Sequence, residues 1–266
     1  MENKEVVLVT GCSTGIGHDI CEIMTGKGYI VAATARNIDS LKDVQAALKL
    51  KVDVTDKESI NSAVDYVMKK FGKIDVLINN AGYSIRGAVE EMEADNLRKL
   101  FDVNVFGIIN MIQAVLPEMR KAKHGKIINI GSISGRFTQS VNGGYCASKH
   151  AVEAVSDALR LELNKFNVQS TVIEPGPMQT SFFDTLSKTS NNIMENSNSP
   201  YYDLYKNDME YRKIQKRTDS KKAAQQICEI IMKDKLKARY KVAVPFAFKV
   251  LLKLPDSVKE FILLHH

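Results

Sequence analysis

Short runs of aliphatic residues alternate along the chain with longer segments whose apolar positions recur at helical spacing. Val6–Thr10, Tyr29–Thr34, Lys51–Val54, Ile74–Asn79, Lys126–Gly131 and Val168–Ile173 read as strands. Between them Ile16–Lys27, a short piece near Ile38–Leu48, Lys57–Phe71, Met92–Met119 and Tyr145–Phe166 read as helices. Strands alternating with helices of this length predict βαβ units and a parallel sheet. The strands are continuously apolar rather than alternating, which predicts helices on both faces of that sheet. The fold class is α/β, a doubly wound parallel sheet.

The pattern changes after Pro175-Gly176-Pro177. Residues 181–217 are rich in Ser, Asn, Tyr and Lys with weak periodicity, which predicts a substrate loop or lid. A helix resumes from Ser220 to about Lys233, Arg239–Val244 reads as an edge strand, and a helical extension at about 245–264 is interrupted at Pro255. No repeat or linker divides the chain, so residues 1–266 are expected to form one domain.

Apolar residues make up 44% and charged residues 26% of the sequence, the proportions of an ordinary globular protein. Uninterrupted apolar runs fall far below the ~20 residues of a membrane span. Met1–Glu5 leads into only four apolar residues, Val6–Val9, which is not the form of a secretory signal. A cytoplasmic location is expected. The net charge of +6 is spread over lysines, and Asp208, Glu210 and Asp219 interrupt the basic stretch Lys206–Lys222, so no nucleic-acid surface is expected. Cys12, Cys21, Cys146 and Cys228 lack metal-like spacing and read as reduced thiols. No metal site is expected.

Thr10-Gly11-Cys12-Ser13-Thr14-Gly15-Ile16-Gly17 joins the first strand to the first helix. A glycine-rich turn there lets the backbone approach a pyrophosphate, and the helix N-terminus offers free N–H groups and a partial positive charge. Gly11 suits the tight turn, Gly15 the close approach and Gly17 the packing of helix on sheet, a Rossmann-type arrangement. A carboxylate at the end of the second strand would select NAD through its ribose hydroxyl, whereas an arginine suits the 2′-phosphate of NADP. That strand ends Ala35-Arg36, so NADP(H) is preferred over NAD(H).

The pattern YxxxK occurs as Tyr66/Lys70, Tyr145/Lys149 and Tyr202/Lys206, and alone it decides nothing. Context favours Tyr145/Lys149. The two residues share one face at the start of a helix, and a strand ending Gly131-Ser132 places a hydroxyl at the carboxyl edge of the sheet. Here the chain resembles the short-chain dehydrogenase/reductase family over about residues 5–180. Thr10–Gly17 fits the family's TGxxxGxG turn, Asp53-Val54 its adenine contact, and Asn80-Ala81-Gly82 (with Asn79) its NNAG motif. Asn104, Ser132, Tyr145 and Lys149 fit its catalytic residues, and Pro175, Gly176 and Thr180 its nicotinamide-holding PGxxxT segment. Gly28–Asn37, Glu174–Thr180 and the apolar tail are similar to a subgroup of 17β-hydroxysteroid dehydrogenase-like, retinol dehydrogenase-like and acyl-dihydroxyacetone-phosphate reductase-like proteins.

The resemblance implies a carbonyl–alcohol oxidoreductase in which Tyr145 exchanges the proton, Ser132 steadies the oxygen, Lys149 also holds the nicotinamide ribose, and Asn104 serves a water-linked proton relay. Lys149⁺ and an oxidised nicotinamide would lower the tyrosine pKa. It also implies a homodimer or homotetramer built on the two long helices. Substrate contacts are expected from residues 181–217, Tyr83–Gly87 and Ser134–Gly144. Phe182, Phe183, Tyr201, Tyr202 and Tyr205 would form an aromatic lid for a hydrophobic ketone or alcohol. The competing readings are an extended-type epimerase or dehydratase, disfavoured by the GxxxGxG spacing, and an NADP(H)-sensing protein without turnover. Phe246–Leu264 reads as a pocket or subunit cap, or else as an amphipathic membrane-surface anchor.

Overall fold

The computed structural model describes residues 4–180, 190 and 192–265. In chain order, β1 (Val6–Val9), α1 (Gly15–Gly26), β2 (Ile30–Ala35), β3 (Leu48–Lys51), α2 (Lys57–Phe71) and β4 (Val76–Asn79) form the first half. Then come α3 (Ala94–Phe101), α4 (Gly107–Ala122), β5 (Lys126–Ile130), α5 (Gly143–Leu163), β6 (Gln169–Pro175) and the short β7 (Met178–Gln179). The chain ends in α6 (Tyr202–Ile214), β8 (Thr218–Asp219), α7 (Ser220–Ile231), β9 (Arg239–Val242), α8 (Phe246–Leu251) and α9 (Asp256–His265).

The main sheet runs β3-β2-β1-β4-β5-β6-β9 with every neighbour parallel. Its strands are continuously apolar because both faces are covered. Val7 and Val9 of β1 pack with Ile20 and Met24 of α1 and Ile227 of α7, while Val6 and Leu8 pack with Val64 of α2, Val115 of α4 and Val152 of α5. Strand order reverses between β1 and β4, so the turns leaving their carboxyl ends diverge and open a crevice, the place where such sheets bind ligands.

Several elements differ from expectation. The third strand is Leu48–Lys51 rather than Lys51–Val54. It is an edge strand with the half-buried alternation of Leu48-Lys49-Leu50-Lys51, whereas Val52 and Val54 are buried in the connection beyond it. The helix expected near Ile38–Leu48 is one tight turn, Ile38–Leu41. The long helix spans Ala94–Ala122 and passes through a π-helical stretch at Asp102–Phe106. It is long and apolar enough to cross a membrane by length and composition, but it carries Ile108, Met111 and Val115 into the core. Residues 181–189 and 191 of the expected lid, Phe182 and Phe183 among them, lie outside the described residues.

The stretch Tyr202–Ile214, read as irregular, is the helix α6. Few apolar positions mark it because only Tyr205 is buried. The Tyr205 hydroxyl accepts from Ala88 N at 3.0 Å and donates to the Glu91 carboxylate, pinning the helix to the loop before α3. Tyr205 is thus a packing residue beside Val141 and Met194. Tyr201 packs against the same cluster, and neither lines the crevice.

Candidate active site

The β1 and β4 turns lock together before any ligand is considered. Thr10 Oγ1 accepts from Asn80 N and Ala81 N, both at 3.0 Å, and Asn80 Nδ2 donates to the carbonyls of Thr10 and Gly11, both at 2.9 Å. Gly11 has φ +70°, a conformation that disfavours side chains. A Cβ on Gly17 would lie 2.4 Å from Asn80 Nδ2 and 2.5 Å from Gly11 O, so this glycine serves the turn itself rather than the helix–sheet contact expected of it. No side chain of Thr14 caps α1, whose N-terminus faces the crevice.

The crevice is a cavity of ≈ 360 Å³. Along one stretch it is lined by Gly11, Ser13, Thr14, Gly15 and Ile16; by Arg36 with Asp53 and Val54; and by Asn80, Ala81 and Gly82. Ser132, Tyr145 and Lys149 join them, with Pro175, Gly176 and Thr180 opposite. Gly17 and Asn104 are the two expected site residues that do not form its wall. Asp53 Oδ1 accepts from Thr55 N and Oγ1 at 2.9 and 2.7 Å, which orients its carboxylate. Gly176 N donates to Val242 O at 2.9 Å, tying the Pro175–Thr180 segment to β9.

Asn104 sits in the π-helical stretch, fully buried. Its Oδ1 accepts from Tyr83 N at 3.0 Å, and its Nδ2 donates to Tyr83 O at 2.9 Å and to Ser148 Oγ at 3.1 Å. Its side chain therefore braces the Gly82–Tyr83 turn and α5 together.

Tyr145 and Lys149 lie one turn apart at the start of α5, and Ser132 follows β5. Ser132 hydrogen-bonds the Tyr145 hydroxyl. Lys149 Nζ donates to Ile130 O at 2.8 Å and stands 5.8 Å from the Tyr145 ring centre. Burial pushes the Tyr145 phenol up to about 12, against the hydrogen bond from Ser132 and the charge of Arg86, which both lower it. Burial pushes Lys149 down to about 8, opposed by the Glu153 carboxylate on the next turn. The expected lowering of the tyrosine is thus not built into the protein alone, because desolvation outweighs the neighbouring charge. Tyr66 is half exposed on α2, and neither Tyr66/Lys70 nor Tyr202/Lys206 reaches the cavity.

Sequence reasoning named regions but not the residues that shape the remaining wall. Arg86 comes from Tyr83–Gly87, and Phe137, Gln139 and Asn142 from Ser134–Gly144. Phe248 of α8 also lines the wall and stacks on Phe137 with ring centres 5.5 Å apart, so the C-terminal extension covers the cavity. The cysteines are all free and buried, as read.

The residues fit a nicotinamide dinucleotide: the uncapped helix end, the glycine turn and the Tyr–Lys–Ser group share one wall. A family model described as short chain dehydrogenase matches residues 5–191. A protein of Bacteroides thetaiotaomicron named 3-ketodihydrosphingosine reductase is 35% identical, covering 97% of this chain and 96% of its own. A short-chain dehydrogenase structure from Streptomyces avermitilis has a TM-score of 0.83 at 30% identity, over 98% of this chain and 96% of its own. Two structures at 22% identity share the fold. One from Burkholderia cenocepacia, in complex with NADP, has a TM-score of 0.78 and covers 100% of each chain. One from Burkholderia phymatum, in complex with NAD, has a TM-score of 0.80 and covers 97% of this chain and 95% of its own. With its family model, its full-length relative and its sheet in agreement, this chain belongs to the short-chain dehydrogenase/reductase family.

Proposed function

We propose that the protein is an NADP(H)-dependent oxidoreductase that interconverts a carbonyl and an alcohol on a hydrophobic substrate, with Tyr145 as general acid and base. The observation that carries this reading is the Tyr145 hydroxyl, held by Ser132 and backed by Lys149 on the wall that also bears the glycine turn. A bound nicotinamide supplies or accepts the hydride. In reduction Tyr145 gives its proton to the substrate oxygen and Ser132 donates a hydrogen bond to the same oxygen as charge develops. A phenol held near 12 keeps its proton at neutral pH, which suits the acid role. In oxidation the same group must ionise, and a cationic ring beside it favours the phenolate. Lys149, fixed on Ile130 O, keeps a positive charge behind the phenol and has further protons for a ribose hydroxyl.

The NADP preference rests on Ala35-Arg36, where the cavity meets an arginine and no carboxylate at the strand end. Ile133, Phe137, Met178 and Phe248 give the remaining wall its apolar character. The family supports a small-molecule substrate and an oligomeric assembly, and a dimer or tetramer is part of the proposal. The test is cofactor oxidation over a panel of hydrophobic ketones with NADPH and NADH in parallel, repeated with Tyr145→Phe. The expected result is faster turnover with NADPH, abolished in the variant while NADPH binding stays within about threefold. Substantial activity of Tyr145→Phe would overturn the mechanism.

A further inference from the structure

The last helices carry apolar side chains on both faces. On α8 the inward face holds Phe248 and Leu251, which pack with Ile133, Phe137 and Val244 beside the cavity. The outward face is not the polar one that a surface helix of a globular protein presents. Phe246 is 80% exposed and Val250 41%. On α9, Ile262 joins the same inner cluster, while Val258 is 41% and Leu264 74% exposed. At the end of α6, Ile214 is 80% exposed. Ile214 and Phe246 are the two most exposed large apolar side chains among the described residues. Each stands within two residues of the cavity wall, at Gln215 and at Phe248.

Exposed apolar side chains scattered singly need no explanation. These are gathered at one cavity and interleaved with charges of one sign. Residues 213–217 read Lys-Ile-Gln-Lys-Arg and residues 246–253 read Phe-Ala-Phe-Lys-Val-Leu-Leu-Lys, five cationic residues and no acidic one. Lys213 reaches back to Glu210 at 2.7 Å, and on α9 Lys259 pairs with Asp256 at 2.9 Å. The basic excess therefore rests on the exposed Lys216, Lys249 and Lys253. That charge decides what covers the surface. A second copy packed about a twofold axis would set the patch against itself, lysine facing lysine, which is repulsive. An anionic bilayer meets both features at once, its phosphates taking the cations and its acyl region the apolar tips.

We propose that the outward faces of α8 and α9, with the end of α6, dock on an anionic lipid surface and set the cavity against the bilayer. The inner face of α8 still covers the cavity through Phe248, so one helix serves the pocket on one side and the membrane on the other. Docking brings the cavity to a ketone or alcohol dissolved in the bilayer. That consequence rests on the reductase reading, whereas the docking itself does not.

The chain contains no tryptophan, so Phe246→Trp supplies a single indole that reports on this surface alone. It is mixed with vesicles of phosphatidylcholine, alone or with about 30% phosphatidylglycerol, at about 0.1 M salt, where surface charge is still felt. Its emission is expected to move to the blue with the anionic vesicles only, and Tyr66→Trp, on half-exposed α2, is expected to show no shift. In co-sedimentation, Lys249→Glu with Lys253→Glu should lower partition at least about tenfold, each basic residue at such a surface being worth about fivefold. Ile214→Ser with Phe246→Ser should lower it about tenfold through lost apolar burial. Lys69→Glu with Lys70→Glu, the same change of net charge placed on α2, should leave it within about threefold. No blue shift at position 246, equal binding to the two kinds of vesicle, or an equal loss from the α2 pair would overturn the proposal. A blue shift that grows with protein concentration before any vesicle is added would overturn it in favour of a contact between copies. The vesicle readouts need no turnover. Docking without reduction of any ketone leaves this proposal standing while the reductase reading falls, and reduction by a protein that ignores vesicles does the reverse.

Discussion

Tyr145 and Lys149 are moved in opposite directions by the same burial, one up to about 12 and the other down to about 8. Because kcat/KM for NADPH reports the free enzyme, it should hold up to pH about 8 and fall above it as Lys149 loses its proton. Glu153 holds that lysine up, so Glu153→Gln should move the fall to lower pH. A profile that stays put in the variant would separate the inflection from Lys149. Arg36 is exposed at the cavity edge, and its loss removes one charge-assisted contact to a 2′-phosphate. Arg36→Ala is therefore expected to raise KM for NADPH about tenfold and leave NADH nearly unchanged, in steady-state assays with both cofactors. These positions were legible in the sequence because each belongs to a short motif with its own chemistry. The electrostatic balance was not, since the burial that raises Tyr145 and the approach of Ser132 and Arg86 that opposes it arise only from the fold.

The π-helical stretch shows what single elements contribute beyond carrying residues. Asn104 spends its amide on both backbone groups of Tyr83 and on Ser148, so it braces the wall from behind. Asn104→Ala strips buried polar groups of their partner and should cost about 1–3 kcal/mol in denaturant unfolding. It should lower kcat as well, because the Tyr83 turn and α5 lose their tie. Sequence periodicity located this helix but not its π turn, since a shift of one place within a single turn is too local to stand out against the 3.6-residue period. It missed α6 for a different reason. A helix held by one tyrosine hydroxyl and by pairs such as Lys213–Glu210 at 2.7 Å has no apolar face to announce it. The edge strand β3 was displaced by three residues because Val52 and Val54 are buried by a connection rather than by the sheet.

For the whole molecule, the parallel sheet was legible in the alternating elements, and the cavity follows from where its strand order reverses. The cost of building an ionisable pair into such a crevice should appear in global stability. Between pH about 8 and the usual 10.5 the unfolded chain binds the lysine proton that the folded one has released, so the Lys149 contribution rises with pH. Between the usual 10 and about 12 the folded chain keeps the Tyr145 proton, so stability falls again as pH increases. Denaturant midpoints of the cofactor-free protein should rise, then fall, across this range. Lys149→Met should lack the rise, which amounts to at most about 3 kcal/mol.

The stack of Phe248 on Phe137 has a consequence for how the crevice can vary. The glycine turn at Gly11 belongs to the first βα connection, whereas Phe248 stands on α8, beyond the last strand of the sheet. A change at Phe248 therefore alters one wall of the crevice and leaves the opposite one as the sheet built it. The two walls are free to diverge separately, one tied to the strand order and the other to a helix laid over it.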